Sequence, residues 1–422
     1  MKTLKISRAA NANLQNKINM SVVFNYLREH EPTYRARISR DLNISPPAVS
    51  RIVDKLIEDG YVVETEKLKI ESGKRPTQLR INADRCNVIG IDLVKERIKI
   101  AISDFSGRII STHQGRRVSE RMDIGNTLIE EIEAVLAHYR SERRIDRETG
   151  DLKAIGVGVP AVIDVDTGWV TDAPLYDSLR GINLRKILSE RFGIPIFVEN
   201  VVKLSALGEK HYGQGKSYTD IVFIEVSNGI GAGIIVDNHL VRGTNGSAGE
   251  IGLSIIDRNN LRYKITSKGH LEKNASVEAI LEKALKDIAD GDGVLLADAA
   301  CRDPAELTPS AVCEAAKRGN ETAKRIINEI TESLSLVTIN LILVLNPQII
   351  VFGGDLCSLP GAERLFLNPI RETVSGSIPF RPPKITISSL RDNAGVIGAS
   401  FLAIESLLLG EFPYKIDFDL LG

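Results

Sequence analysis

The apolar positions between Leu14 and Asn82 predict three short amphipathic helices. Each helix shows the spacing of three and four residues that places side chains on one face. The residues of the three predicted inner faces are Val22, Val23, Tyr26 and Leu27; Ile38 and Leu42, in a short helix near Ala36–Leu42; and Val49, Ile52, Val53 and Leu56. The opposite face of the third helix is polar and basic.

A turn at Asn43-Ile44-Ser45 separates the second helix from the third, which spans Pro46–Asp59. Ser45 suits the N-cap, and Pro46 suits the first helical position, where a missing N–H costs nothing. This pattern is typical of a helix-turn-helix, whose second helix places its first residues on base edges in the major groove. We expect bases to be contacted by Pro47, Ala48, Ser50 and Arg51, and phosphates by Arg35, Arg37, Arg40 and Lys55. The alternative is a three-helix packing module whose basic side chains are merely solvated.

Two strands, Tyr61–Thr65 and Thr77–Ile81, flank a loop and predict a β-wing. The tip of the loop, Ser72-Gly73-Lys74-Arg75-Pro76, combines a flexible glycine, two cations and a proline that keeps the chain extended. Lys74 and Arg75 are therefore predicted to enter the minor groove of DNA.

After Asn82 the pattern changes to apolar strands that alternate with helices, which predicts an α/β fold. The predicted strands are Val88–Leu93, Ile98–Asp104, Ala154–Val159, Phe197-Val198, Asp220–Val226, Gly233–Val236 and Gln348–Phe352, and the predicted helices include Ile124–Arg140 and Ala323–Leu345. A strand-hairpin-helix unit repeated in two halves is the outline of the actin-like sugar kinase and ATPase fold. We expect a DNA-binding domain over residues 1–83 and a two-lobed domain over 84–422. Lobe one covers about 84–197 plus the C-terminal helix, and lobe two about 198–395.

Charge is divided unevenly along the chain. Residues 1–82 contain 15 Lys and Arg against 9 Asp and Glu, and the remainder contains 39 against 46. A basic module on an acidic body indicates a polyanionic partner at one end, although chance clustering of surface charge would give the same counts. The 4 cysteines show no CxxC spacing, Met1 is not followed by an apolar signal region, and no run approaches the length of a membrane span. We therefore expect a cytoplasmic protein with no membrane partner.

The longest glycine-rich motif is SNGIGAGIIVDNHLVRGTNGSAGEIG at Ser227–Gly252. Supporting motifs are GVGVPAVID (Gly156–Asp164), GIPIFVEN (Gly193–Asn200), GHLEKNAS (Gly269–Ser276) and IVFGG (Ile350–Gly354). Together these resemble the ROK family of repressors, open reading frames and sugar kinases, and the likeness runs from the winged module through Gly398. It implies a winged helix-turn-helix followed by an actin-like, two-lobed ROK domain.

The resemblance places the catalytic carboxylate of ROK kinases at Val201, in the sequence VENVV, and valine cannot accept a proton. Loss of a positioned base usually costs about 10²–10⁴ in rate. The phosphate loop of these kinases reads Asp-x-Gly-Gly-Thr, whereas this chain has Asp92-Leu93-Val94-Lys95-Glu96. The later glycines Gly229, Gly231 and Gly233 survive, but a tight hairpin explains them equally well. We expect no catalytic residue, no ATP cofactor and no kinase activity.

The same resemblance implies sugar contacts at Asn200, Glu250 and Glu272. One amide and two carboxylates suit a polyol, because each can accept or bridge hydroxyl groups in a mostly dry cleft. Taken singly, each residue also fits an ordinary hydrogen bond at a helix end or in a hairpin.

The zinc site of the family is largely replaced here. Leu253 stands at the position of the family's histidine ligand, and Tyr263, Ile265 and His270 stand at the positions of its three cysteines, so His270 is the one possible ligand left. A structural zinc site needs about four ligands, so the sequence predicts no metal.

These features predict a repressor that binds a double-stranded DNA operator as a homodimer or tetramer and is controlled by a sugar or sugar derivative. Activator behaviour stays open. A ROK sugar kinase fused to a DNA-binding module is the enzymatic alternative, and it predicts a carboxylate at 201 and glycines at 94–95, which are absent. A repressor controlled by a protein partner rather than by free sugar is the third hypothesis.

Overall fold

The computed structural model describes residues 8–67, 76–93, 97–117, 122–143, 152–173, 177–262, 268–290 and 306–409. The helices are α1 (Arg8–His30), α2 (Arg35–Leu42), α3 (Pro46–Glu58), α4 (Ile124–Arg143), α5 (Leu184–Phe192), α6 (Val201–Tyr212), α7 (His270–Ala275), α8 (Val277–Ala289), α9 (Pro309–Lys317), α10 (Glu321–Leu345), α11 (Asn368–Ser377) and α12 (Ala394–Leu409). The strands are β1 (Val62–Lys67), β2 (Thr77–Ile81), β3 (Asn87–Asp92), β4 (Lys99–Asp104), β5 (Ile109–Gln114), β6 (Leu152–Val159), β7 (Val162–Asp164), β8 (Trp169–Asp172), β9 (Ile196–Asn200), β10 (Ile221–Val226), β11 (Ile230–Val236), β12 (His239–Leu240), β13 (Ile349–Gly353) and β14 (Lys384–Ile387).

The first three helices and the β1–β2 hairpin form the predicted winged helix-turn-helix. Val49, Val53 and Leu56 of α3 are fully buried against Ile38 of α2 and the other helices. Asn43 ends α2 in the left-handed conformation, with φ 54°, so that the chain turns into α3. β1 and β2 pair antiparallel, as a wing requires.

One local prediction in this domain is wrong, and another is confirmed only in position. Val22 is 40% exposed, and Phe24 instead points inward, where its ring lies 5.5 Å from that of Phe105 in the body. Ser45 occupies the N-cap of α3, but its side chain makes no capping hydrogen bond. The reason is local: Pro47 has no N–H to donate, and the Ala48 N–H donates to the Ser45 carbonyl at 3.0 Å.

The body contains two five-stranded sheets with the same core arrangement, which confirms the predicted two-half α/β fold. Their strand orders are β5-β4-β3-β6-β9 and β12-β11-β10-β13-β14. In the first, β3 pairs antiparallel with β4 and parallel with β6; in the second, β10 pairs antiparallel with β11 and parallel with β13. The edge strand β5 was not predicted, because its half-buried and exposed residues lack an apolar run.

Helices α6 and α12 pack against each other between the two sheets. Leu204 and Leu207 of α6 and Leu402 of α12 share one apolar cluster with strands of the second sheet. A Cβ atom added at Gly398 would overlap the Leu204 carbonyl, and one added at Gly208 would overlap the Ala394 carbonyl. The two helices therefore meet backbone to backbone, which only glycine permits at these positions.

Two helices are long and apolar enough to cross a membrane by length and composition, namely Glu321–Leu345 and Arg391–Leu409. The expectation that no run approaches that length is therefore wrong. In the first helix 50% of the apolar window is buried inside the protein, and in the second 72%. Both contribute to the apolar cores of the body, which accounts for their composition.

Candidate functional site

The junction between β9 and α6 carries the residue that replaces a catalytic carboxylate. Val201 begins α6 and is 2% exposed, and its Cγ2 packs against Gly158 and Gly395. The Asp92 carboxylate lies against the same Gly395. An apolar side chain therefore fills this position, and no proton acceptor is present at residue 201.

Asn200, immediately before Val201, caps the helix. Its Oδ1 accepts hydrogen bonds from the backbone N–H of Val202 at 2.9 Å and of Lys203 at 3.2 Å, and its Nδ2 donates to the Ala161 carbonyl at 3.1 Å. The side chain is 8% exposed. The amide thus has a structural role at the helix end, and one of its two Nδ2 hydrogens has no assigned acceptor among the described residues.

Glu272 is also held by the backbone. Its Oε2 accepts from the Gly269 N–H at 2.8 Å, and its Oε1 accepts from the Ile230 N–H at 3.1 Å. The carboxylate therefore ties the start of α7 to the start of β11. Each oxygen keeps a second lone pair that a hydroxyl group can use.

Glu250 differs from the other two predicted residues. Its carboxylate accepts no hydrogen bond from any residue in the described part of the chain, although the residue is half-buried. Burial raises the pKa of Glu250, the nearby Lys203 opposes that rise, and the carboxylates of Glu272 and Asp172 add to it. Glu272 packs against Gly252, two residues after Glu250, which brings the two carboxyl groups into one region.

Buried charges that the sequence did not reveal surround these residues. Glu199 is 2% exposed and accepts from Arg242 Nε at 2.6 Å and from the Asn200 N–H at 2.9 Å. Lys203, also 2% exposed, donates to the Gly246 carbonyl. A single lysine within the apolar start of α6 was the available signal for a buried cation.

Only some of the residues at the predicted positions of the lost nucleotide and zinc sites lie within the described ranges. Val94, Lys95 and Glu96, like Tyr263 and Ile265, lie outside the described residues. The hairpin glycine Gly233 lies against α6, where an added Cβ atom would come within 2.7 Å of the Val202 carbonyl. Close packing thus accounts for this glycine without a nucleotide.

The one possible zinc ligand left in the motif, at a cysteine position of the family, has a structural role. His270 is 8% exposed, and its Nδ1 accepts from the Ile256 N–H at 3.2 Å. Leu253, at the position of the family's histidine ligand, is 38% exposed. Among the described residues no group of three or more His, Cys, Asp and Glu side chains is placed to hold a metal ion.

The predicted DNA-contacting residues lie on α2 and on the outer side of α3. Pro47 and Arg51 are exposed, while Ala48 and Ser50 are half-buried. Within the described part of the chain Arg51 forms no ion pair. Lys74 and Arg75 lie outside the described residues.

The four predicted phosphate contacts all form ion pairs within the domain. Arg35 pairs with Asp54 at 2.8 Å and Glu64 at 2.6 Å; Arg37 and Arg40 pair with Asp41 at 3.4 and 2.9 Å; and Lys55 pairs with Asp59 at 2.8 Å and Glu58 at 3.4 Å. Exposed pairs of this kind are worth only about 0.2–1 kcal/mol. Exchange of these carboxylates for DNA phosphates is therefore energetically easy.

The DNA-binding domain meets the body through α1. Glu405 of α12 accepts from Ser21 Oγ at 2.7 Å and from Asn25 Nδ2 at 3.1 Å. Arg28 lies beside the end of α6, 2.8 Å from His211 Nδ1 and 3.2 Å from the Tyr212 hydroxyl. A cleft of about 580 Å³ opens at this junction, and Glu250 is not among its lining residues.

Comparison with known proteins decides the family. The model of the ROK family matches residues 88–406. The chain belongs to the ROK family. The model of the iron dependent repressor N-terminal DNA binding domain matches residues 20–69, which covers the helix-turn-helix.

The full-length relatives are regulators of transcription. The xylose repressor of Caldicellulosiruptor bescii is 32% identical over 410 residues, which cover 96% of this chain and 99% of that protein. The N-acetylglucosamine repressor of Escherichia coli O157:H7 is 25% identical over 409 residues, 96% of each chain. With its DNA-binding domain, this ROK protein is a transcriptional regulator rather than an enzyme.

Solved structures agree with the fold. The structure of a ROK family transcriptional regulator has a TM-score of 0.77 at 24% identity, covering 94% of this chain and 97% of that one. A ROK family glucokinase from Streptomyces griseus, in complex with glucose and AMPPNP, has a TM-score of 0.62 at 26% identity, covering 75% of this chain and 99% of the glucokinase. The glucokinase matches about three quarters of this chain, as expected if a DNA-binding domain is added to a kinase-like body.

Proposed function

We propose that this protein is a repressor whose affinity for its DNA operator is controlled by a sugar or sugar derivative held at Asn200, Glu250 and Glu272. The contrast between Val201 and Glu250 carries the proposal. The position of the catalytic base is filled by a buried apolar side chain, so phosphoryl transfer has no proton acceptor there. The Glu250 carboxylate keeps its hydrogen-bonding capacity for a ligand.

Helix α6 connects the proposed sugar site with the DNA-binding domain. Its first residues adjoin Asn200 and Val201, and its last residues, His211 and Tyr212, contact Arg28 of the DNA-binding domain. Its 12 residues span about 18 Å. Since α6 packs backbone to backbone on α12, a lobe movement at the sugar end reaches the DNA-binding domain as displacement of a rigid helix pair.

Control of DNA affinity requires that the sugar bind one conformation of the protein more tightly than another, because equal binding to both would leave their equilibrium unchanged. In a dimer, two recognition helices must reach half-sites separated by about one helical turn of DNA or a multiple of it. A modest rotation of α1 on the body would spoil that spacing. This mode of control requires a homodimer or tetramer on DNA, and the proposed place of action is the cytoplasm.

The test begins with selection of an operator from random duplex DNA by the full-length protein. Fluorescence anisotropy then measures operator affinity at fixed salt with xylose, N-acetylglucosamine, glucose and other common sugars, the first two chosen from the named relatives. Release by one sugar supports the proposal and identifies the effector. Operator binding that no sugar alters would direct attention to a protein partner.

A parallel assay addresses the kinase alternative. The same sugars are incubated with ATP and the protein, and sugar phosphate is measured. Turnover in the ordinary enzymatic range of about 1–10³ s⁻¹ would overturn the assignment of a regulator without kinase activity.

A further inference from the structure

Lys203 combines deep burial with unused hydrogen-bonding capacity. It lies in the first turn of α6, is 2% exposed, and donates one hydrogen bond, to the Gly246 carbonyl. An ammonium group has three donors. Its other two N–H groups have no acceptor within hydrogen-bonding distance among the residues that the structure describes.

The carboxylates near Lys203 differ in what they can still accept. Glu199 is already engaged by Arg242 and by the Asn200 N–H. Glu250 accepts no hydrogen bond from the described residues and is half-buried. The only nearby carboxylate with its full acceptor capacity, within the described ranges, is thus Glu250.

Lys203 and Glu250 influence each other without touching. Burial lowers the pKa of Lys203, and the charges of Glu199 and Glu250 act in the opposite direction. Burial raises the pKa of Glu250, and the charge of Lys203 opposes that rise. They form no direct ion pair. Lys203 Nζ is hydrogen-bonded to the Gly246 carbonyl, four residues before Glu250, and the Glu250 N–H donates to the Ser247 carbonyl at 3.3 Å, so both side chains belong to the same turn of the site.

We infer that Lys203 is a ligand-binding residue, and that with Glu250 it holds one hydroxyl group of the sugar. Lys203 Nζ donates to the hydroxyl oxygen, and the hydroxyl hydrogen is donated to the Glu250 carboxylate. A hydroxyl group fits because it donates and accepts at once, and hydrogen bonds to ionised partners are about twice as strong as neutral ones. A deoxy or O-methyl derivative at that carbon cannot make both bonds. This inference rests on the proposed sugar site.

Lys210 provides a matched control on the same helix. It is also a mostly buried lysine with a hydrogen bond to a backbone carbonyl, that of Tyr218 at 2.6 Å. It lies two helical turns from Lys203, towards the DNA-binding domain. Lys210→Met therefore removes a buried ammonium group without altering the sugar site.

The experiment measures sugar affinity by isothermal titration calorimetry for wild type, Lys203→Met and Lys210→Met, with the sugars of the operator assay. Thermal unfolding and circular dichroism verify that each variant is folded. Lys203→Met is expected to weaken binding about 10- to 100-fold, because it removes a hydrogen bond from a charged donor, whereas Lys210→Met retains affinity. Equal affinity of Lys203→Met and wild type would overturn the inference.

Monodeoxy analogues of the bound sugar separate direct contact from a structural role. If Lys203 touches a hydroxyl, one analogue binds weakly to wild type, and Lys203→Met no longer distinguishes it from the parent sugar. If Lys203 only anchors the loop at Gly246, the variant weakens every analogue by the same factor, which contradicts the inference. Absence of wild-type binding to every sugar tested would instead refute the proposed function, and this inference with it.

Discussion

Arg28 of the DNA-binding domain donates to His211 at the end of α6, with 2.8 Å between Arg28 Nη2 and His211 Nδ1. Arginine has no acceptor, so His211 Nδ1 must carry the lone pair. Burial lowers the pKa of His211 well below its ordinary value, and the charges of Arg28 and Lys210 add to that effect. The histidine is therefore neutral and can accept. The Arg28 guanidinium also lies 4.5 Å from the Phe401 ring of α12, so one side chain joins both central helices.

We predict that Arg28→Ala uncouples sugar from DNA. Allosteric coupling typically changes affinity about 5- to 150-fold, and this factor should fall towards one while each separate affinity is largely kept. The ratio of operator affinities measured with and without the effector gives this coupling factor. Arg108→Ala is the control, because Arg108 lines the same cleft but pairs with Asp104 of its own hairpin. Normal coupling in Arg28→Ala would exclude this contact from signal transfer.

The two cations of the wing are predicted to contact DNA phosphates as they enter the minor groove. Changing both Lys74 and Arg75 to Ala should reduce the slope of log affinity against log salt by about two, since each phosphate contact contributes about 0.9. Titrations of the operator between low and moderate salt give the slope. Lys186→Ala, an exposed lysine of the body, should leave it unchanged. An unaltered slope in the double variant would remove the wing from the interface.

Val201→Asp is expected to destabilise the protein without restoring kinase activity. The new carboxyl group would be buried among Gly158, Gly395 and the Asp92 carboxylate, at a cost of about 2–4 kcal/mol in the free energy of unfolding. Urea unfolding measures the loss, and Val201→Thr, of similar shape, serves as the uncharged control. Unchanged stability would mean that water reaches this position.

The raised pKa of Glu250 has a predictable pH dependence. A carboxyl group whose pKa is higher in the folded state favours folding at low pH, and this contribution is lost as pH rises through the folded pKa. Glu250→Gln should therefore be more stable than wild type at neutral pH, and the gain should disappear below the ordinary value of 4.5. Melting temperatures across pH test this.

Glu272→Gln is the matched control for that series. The Glu272 carboxylate accepts from two backbone N–H groups, and an amide replaces one of those acceptors with a donor. Its melting temperature at neutral pH should fall rather than rise. A fall in both variants would contradict the claim that Glu250 carries an unfavourable buried charge.

Local signals were sufficient for the recognition helix. Apolar spacing and Pro46 placed α3 almost to the residue. The presence of Val201 in VENVV, where ROK kinases have the catalytic aspartate, could be recognised from the sequence alone. The role inferred for Lys203 could not be predicted from the sequence, because the burial of this side chain depends on the packing of α6 between two sheets. The Arg28–His211 contact joins residues 183 positions apart, and no local pattern encodes it.

The Ser21–Glu405 hydrogen bond spans 384 positions of the sequence. A ribosome releases the DNA-reading helices first and the helix on which they are mounted last. Until α12 emerges, α1 lacks the hydrogen bonds of Ser21 and Asn25 to Glu405, although its contacts with Phe105 and with the end of α6 can already form. Chains that stop before α12 would therefore keep the DNA-binding helices but lose one of their attachments to the body, which would weaken the link between effector binding and DNA affinity.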